Sequence, residues 1–125
     1  MPAIERVGAE AFEGGRLRRP GTWIVGFLAD WCPFCHAFVP QLEDLAAATG
    51  RGVLFADVTD EASPLWDTFG IDVVPTVLVF HDGAAVFRRD GKLGQGLGSA
   101  DVRAITGAAK AAEHSPTPTA SGPPG

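Results

Sequence analysis

Three uninterrupted apolar runs punctuate the chain: Thr22-Trp23-Ile24-Val25-Gly26-Phe27-Leu28, Val53-Leu54-Phe55-Ala56 and Thr76-Val77-Leu78-Val79-Phe80. A short apolar run without alternation is the signature of a strand buried on both faces, so these three predict the interior of one sheet. Between the first two runs the period changes. Phe38, Leu42, Leu45 and Ala46 recur at helical spacing with Val39 beside them, while Gln41, Glu43 and Asp44 lie toward the other side. That spacing predicts a helix from Pro33 to about Thr49, kinked at Pro40, where a backbone donor is missing, and ended by Gly50 and Gly52.

The remaining signals are shorter. Residues 3–7 read as a short strand, and Ala9 to Leu17 as a weak helix interrupted by Gly14-Gly15. Arg18-Arg19-Pro20-Gly21 is a turn. Pro64 to Phe69 predicts a short helix closed by Gly70. His81-Asp82-Gly83 leads into Ala84-Ala85-Val86-Phe87, a hairpin with Asp-Gly at its centre. A glycine-rich loop from Asp90 to Gly98 follows, then a helix capped by Ser99 that carries Val102, Ile105 and Ala109. Strands and helices alternate up to Phe69 and a hairpin closes the pattern. The fold class is therefore α/β, with a mixed four- to five-stranded sheet flanked by helices on both faces. From His114 onward the chain is Ser, Pro, Thr and Gly with almost nothing apolar to bury, so we expect a domain over 1–113 and a disordered tail over 114–125.

Composition narrows the classes. A chain of 125 residues, 46% hydrophobic, makes one domain with a core that needs no disulfide framework. A net charge of −5 argues against nucleic acid as a partner. Residues 30–82 hold nine carboxylates against Arg51 alone, which we read as solvated faces, and Arg18-Arg19 and Arg88-Arg89 are read the same way. No apolar run approaches the ~20 residues of a membrane span. Met1 to Glu5 show no secretory pattern. The expectation is a cytoplasmic protein without membrane contact, in which paired cysteines serve redox or metal chemistry.

The whole cysteine complement sits in Trp31-Cys32-Pro33-Phe34-Cys35. Pro33 suits the first helical position, which makes Cys32 the N-cap at an exposed helix start. Free amides and the positive end of the helix dipole favour a thiolate there. Cys35 lies one turn further on the same side and less exposed. Cys32 is thus the expected nucleophile toward a substrate disulfide and Cys35 the resolving thiol. A zinc site could draw on Cys32, Cys35 and His36. It lacks a fourth ligand, because no second C-x-x-C or H-x-x-x-H exists and His81 and His114 stand alone. Trp31 is read as an apolar platform for a docking protein and Trp66 as packing. Gly94-Gln95-Gly96-Leu97-Gly98 matches a phosphate loop only loosely and is read as a flexible loop.

Ala29-Asp30-Trp31-Cys32-Pro33-Phe34-Cys35 after an apolar strand resembles the active site of the thioredoxin family. Val73-Val74-Pro75-Thr76 resembles that family's cis-proline motif. Pro40, Phe69-Gly70-Ile71 and Phe80-His81-Asp82-Gly83 follow in the same order, so the resemblance spans about residues 3–112. It implies the thioredoxin fold, a cis bond before Pro75, and a loop there that packs on the cysteines. It implies protein disulfide substrates docked along Trp31, Pro33, Phe34, Val74 and Pro75. The redox pair Cys32 and Cys35 would work without metal or dissociable cofactor, fed by a reductase or a small thiol.

The departures from the family pattern are specific. Pro33-Phe34 replaces the usual Gly-Pro and is closer to glutaredoxins, whereas Trp31 is a thioredoxin-type feature. Gly26 and Ala56 stand where the family buries an aspartate and a lysine that help deprotonate the second cysteine. Cys35 then needs another base, and Asp30 and His36 are the nearest candidates; a histidine titrates near neutrality. The altered pair predicts a reduction potential above the ~−270 mV of thioredoxin. Two other readings stay open: a glutathione-dependent, glutaredoxin-like reductase, and a non-enzymatic binding or metal-bridging module on the same fold.

Overall fold

The computed structural model describes residues 4–114. The expected tail lies outside the described residues except for His114, which ends the last helix. The first predicted strand is β1, Glu5–Val7. Each of the three apolar runs forms a strand of the main sheet: β4 at Thr22–Leu28, β5 at Gly52–Asp57 and β6 at Thr76–His81. β7, Ala84–Asp90, extends past Phe87, where apolar character stops but pairing with β6 continues to Asp90 opposite Thr76. The sheet order is β1-β5-β4-β6-β7. β1, β5 and β4 run parallel, whereas β6 is antiparallel to both β4 and β7, so the sheet is mixed and β4 lies at its centre. Central placement on both sides explains why β4 could be apolar at nearly every position.

Alternation along β4 assigns the two faces. Gly26 points toward the helix α1, Pro33–Thr49, because a Cβ built there would meet Leu42 of that helix. Phe27 points the other way and meets Phe12 and Phe69 at ring-centroid distances of 5.7 and 5.0 Å. Phe80 joins this cluster. Such aromatic pairs add about 0.5–1.5 kcal/mol each beyond the area they bury. The short helix α2, Leu65–Thr68, delivers Phe69 to that face. The last helix, α3, Ser99–His114, covers the first face together with α1 and buries Ile105 and Ala109. Helices therefore flank both faces.

Three expectations need correction. Ala9 to Leu17 is not a helix: a single 3-10 turn at Ala9–Ala11 gives way to a two-stranded ladder of β2, Phe12–Glu13, and β3, Arg16–Leu17. Gly14 and Gly15, at φ of 56° and 81°, form its tight turn, and Phe12 and Leu17 point together into the core. Ser99 is not a cap but already the first helical residue; the amide of Gly98 donates to the Asp101 carboxylate at 2.7 Å. The arginine pairs are not simply solvated. Arg19 grips Glu5 with two hydrogen bonds of 3.0 and 2.7 Å, and Arg18 pairs with Glu13. Arg88 pairs with Asp90 on its own strand and ties β7 to the carbonyls of Phe69 and Gly70, and Arg89 reaches Asp101. The bonds of Arg19, of Arg89, and of Arg88 to Phe69 and Gly70 join positions 12 to 19 residues apart, which spacing alone does not reveal.

Candidate active site

The site forms where β4 ends and α1 begins. Leu28 closes the strand, Cys32 donates its amide to the Ala29 carbonyl at 3.2 Å, and Pro33 opens the helix. Cys32 is the N-cap, with extended backbone at φ −101° and ψ 114°. Its sulfur accepts the Cys35 amide at 3.3 Å, the bond a serine or aspartate cap would make. Its carbonyl accepts the amides of Cys35 and His36 at 3.1 and 3.2 Å. The Cys32 sulfur therefore lies against an amide of the first helical turn.

The Val74–Pro75 peptide bond is cis, and this loop covers the sulfur: the Cys32 thiol donates to the Val74 carbonyl at 3.6 Å. Cys32 is consequently only 5% exposed, not the exposed helix start expected from Pro33 and Trp31. What lies open are its neighbours Trp31, Pro33 and Phe34, while Val74 and Pro75 are buried beside it. Both cysteines are free thiols.

Cys35 is 2% exposed, and burial pushes its thiol up to about 12. A backbone contact with Ala29 pulls the other way, while the hydrogen bond and charge of Cys32 raise it further. Gly26 and Ala56 are buried where an acid and a lysine were expected to be missing, and the leucines at 28 and 42 fill the space beside Gly26. A pH effect on stability follows. The native thiol holds its proton up to about 12, whereas an unfolded cysteine loses it near 9.0. This contribution to stability is complete below the lower value and is lost as pH rises toward the upper one, by at most about 1.4 kcal/mol per pH unit. Denaturant midpoints of the reduced protein should fall more steeply than those of Cys35→Ala above pH 9; parallel curves would rule the effect out.

The open flank carries aromatic surface. Trp31, 51% exposed, stacks on Trp66 with ring centroids 6.3 Å apart and planes 7° from parallel. The two indoles donate to consecutive carbonyls, Trp31 to Thr59 at 2.9 Å and Trp66 to Asp60 at 3.2 Å. Thr59 also takes the Asp30 amide on its hydroxyl at 2.8 Å. On the other side Phe34 packs against Gly96, in a turn closed by the Lys92 and Gly96 backbone, so the loop read as flexible has defined internal bonds. Thr59 and Gly96 were not anticipated. Thr59 could have been: parallel neighbours β4 and β5 bring their C-terminal loops together, and Thr59 follows β5 as Asp30 follows β4. Trp66 is packing as expected, but its partner is the exposed Trp31.

The two candidate bases, Asp30 and His36, line one small cavity together with Cys35. The His36 ring donates from Nε2 to the Asp30 carbonyl, and the Asp30 carboxylate meets Arg6 at 3.2 Å. No three His, Cys, Asp or Glu side chains converge to hold a metal among the described residues. Nor is any helix among them long and apolar enough to cross a membrane.

A mixed five-stranded sheet whose central strand runs into a helix capped by one cysteine of a C-x-x-C pair is the thioredoxin fold, the fold of thiol–disulfide oxidoreductases. The thioredoxin family model matches residues 4–100, and the chain belongs to that family. A thioredoxin from Rhodospirillum rubrum is 32% identical over 91 residues, covering 72% of this chain and 88% of the relative. One from Chlamydia pneumoniae is 35% identical over 68 residues, 54% of this chain and 67% of that protein. Protein disulfide-isomerase A3 of Gallus gallus is 34% identical over 84 residues, 64% of this chain but only 16% of the isomerase.

Proposed function

We propose that Cys32 attacks disulfides of protein substrates and that Cys35 resolves the mixed disulfide. The observation that carries this reading is the Cys32 sulfur at the α1 N-cap, bonded to the Cys35 amide with Cys35 buried behind it. Attack forms a bond between Cys32 and one substrate sulfur and releases the other as a thiolate. Cys35 then attacks Cys32, closes the disulfide and releases the second substrate sulfur, so the substrate gains two electrons. Trp31, Pro33 and Phe34 supply the exposed apolar surface on which a polypeptide docks, with Val74 and Pro75 forming the wall beside the sulfur.

The protein works in the cytoplasm, with no resident cofactor, and its electrons come from a reductase of the thioredoxin-reductase type or from a small thiol. Pro33-Phe34 sets its potential above that of thioredoxin. A glutaredoxin-like enzyme is the second reading, favoured by the same Pro33-Phe34. An insulin-reduction assay separates them. With thioredoxin reductase as donor, the wild type should precipitate insulin and Cys35→Ser should not. Retention of glutathione-driven activity by Cys35→Ser would favour the glutaredoxin reading, and inactivity with both donors would favour a binding module.

A further inference from the structure

The Cys35 thiol must lose a proton to act, yet burial holds that proton tightly, and the buried positions Gly26 on β4 and Ala56 on β5 carry no charge. A cavity of about 40 Å³ nevertheless touches Cys35, lined by Arg6, Ala29, Asp30, His36, Val39 and Phe55. That exceeds the ~10–15 Å³ a single water needs. Two larger surface clefts adjoin it. One, of about 550 Å³, is lined by Arg6, Asp30, Asp57 and Thr59 among others; the second, of about 440 Å³, by Arg6, His36, Glu43 and Phe55 among others. Arg6 is the one residue that borders all three spaces.

Its side chain is fixed there. The guanidinium carbon lies 4.1 Å from the Phe55 ring centroid, and Nη1 is 3.2 Å from both Asp30 Oδ1 and Asp57 Oδ2. Building on the proposed exchange reaction, we infer that this cavity is the proton port of Cys35, that Asp30 is the proton acceptor at its mouth, and that Arg6 is the positioning residue that holds Asp30 there.

Asp57 shares Arg6 but does not line the cavity. Burial tends to raise its carboxyl, yet hydrogen bonds with Thr59 and the Arg6 charge outweigh this and hold it below the usual range, which weakens it as a base. His36 commits its Nε2 proton to the Asp30 carbonyl, fixing the backbone of the acceptor. Glu43 and Asp60 border only the outer clefts.

In the resolving step the Cys35 proton passes through one water in the cavity to the Asp30 carboxylate. The Cys35 sulfur then bonds to the Cys32 sulfur, and the bond from Cys32 to substrate breaks with its electron pair leaving on the substrate thiolate. The thiolate is the final proton acceptor, directly or through solvent.

The test is a single turnover of reduced protein, in excess, with 5,5′-dithiobis(2-nitrobenzoate), which releases one coloured thiolate when Cys32 attacks and a second when Cys35 resolves. In the wild type the second phase should be nearly independent of pH between about 6 and 8, because a positioned side chain takes the proton. In Asp30→Asn hydroxide must do so, and the second phase should slow at least about tenfold near neutrality and rise about tenfold per pH unit. Arg6→Met should lower the ratio of second to first phase about tenfold, and Arg6→Lys should restore most of it. A second phase that keeps its flat pH profile in Asp30→Asn, or an unchanged ratio in Arg6→Met, overturns the inference. Absence of the first phase in the wild type would instead mean that the exchange reading itself fails.

Discussion

Cys32→Ser is expected to lose disulfide exchange altogether, by at least about a thousandfold in turnover, while remaining folded. A hydroxyl is not an anion near neutral pH and has no base beside it, so the attacking group disappears rather than weakens. The fold should tolerate the change, because serine can cap α1 as the cysteine sulfur does, accepting the Cys35 amide now held at 3.3 Å. Cys32 lies among buried groups, but oxygen is smaller than sulfur and the Val74 carbonyl remains available to its proton. Insulin reduction and a thermal melt on the same preparation check both halves. Residual activity above one per cent would mean that another group attacks; a collapsed melt would mean that Cys32 is chiefly structural.

Gly26→Asp, which puts back the family's usual acid, is expected to destabilise the protein by about 3–5 kcal/mol. A Cβ at position 26 would lie 2.8 Å from Leu28 Cδ1 and 3.1 Å from Leu42 Cδ2, and both leucines are fully buried. The carboxyl would sit in this apolar space with Ala56, not a lysine, on the neighbouring strand, so it would stay protonated or ionise at heavy cost. Gly26→Ala isolates the steric part and should cost only about 1–2 kcal/mol. Urea midpoints of the three proteins near pH 7 measure the difference. Equal stability of the aspartate and alanine variants would show that position 26 has an unrecognised polar partner.

How much of this was legible beforehand depends on the range of the forces involved. β4, β5 and β6 were readable because strands buried on both faces need no polar positions, and α1 because its core contacts repeat with the helical period. Cys32 as N-cap was readable from Pro33, a one-residue argument about a missing amide proton. Its burial was not, because Val74 covers it from 42 positions away. The span from Ala9 to Leu17 misled for a related reason: its few apolar residues fit a helix, but the Gly14-Gly15 turn and the Phe12 contacts across the sheet decide the outcome. Proximity in sequence is enough to make Asp30 a candidate base. Arg6, which fixes it, is 24 residues distant and on an edge strand, where a charged side chain is ordinarily no more than solvated.

In the proposed exchange Cys32 forms the covalent link to substrate and Cys35 removes it. The most direct measurement is the intact mass of Cys35→Ser after incubation with an oxidised disulfide protein such as insulin. A stable one-to-one adduct, released by dithiothreitol and absent from the Cys32→Ser variant, is the predicted result. No adduct with Cys35→Ser, or one that persists in Cys32→Ser, would rule out this division of roles.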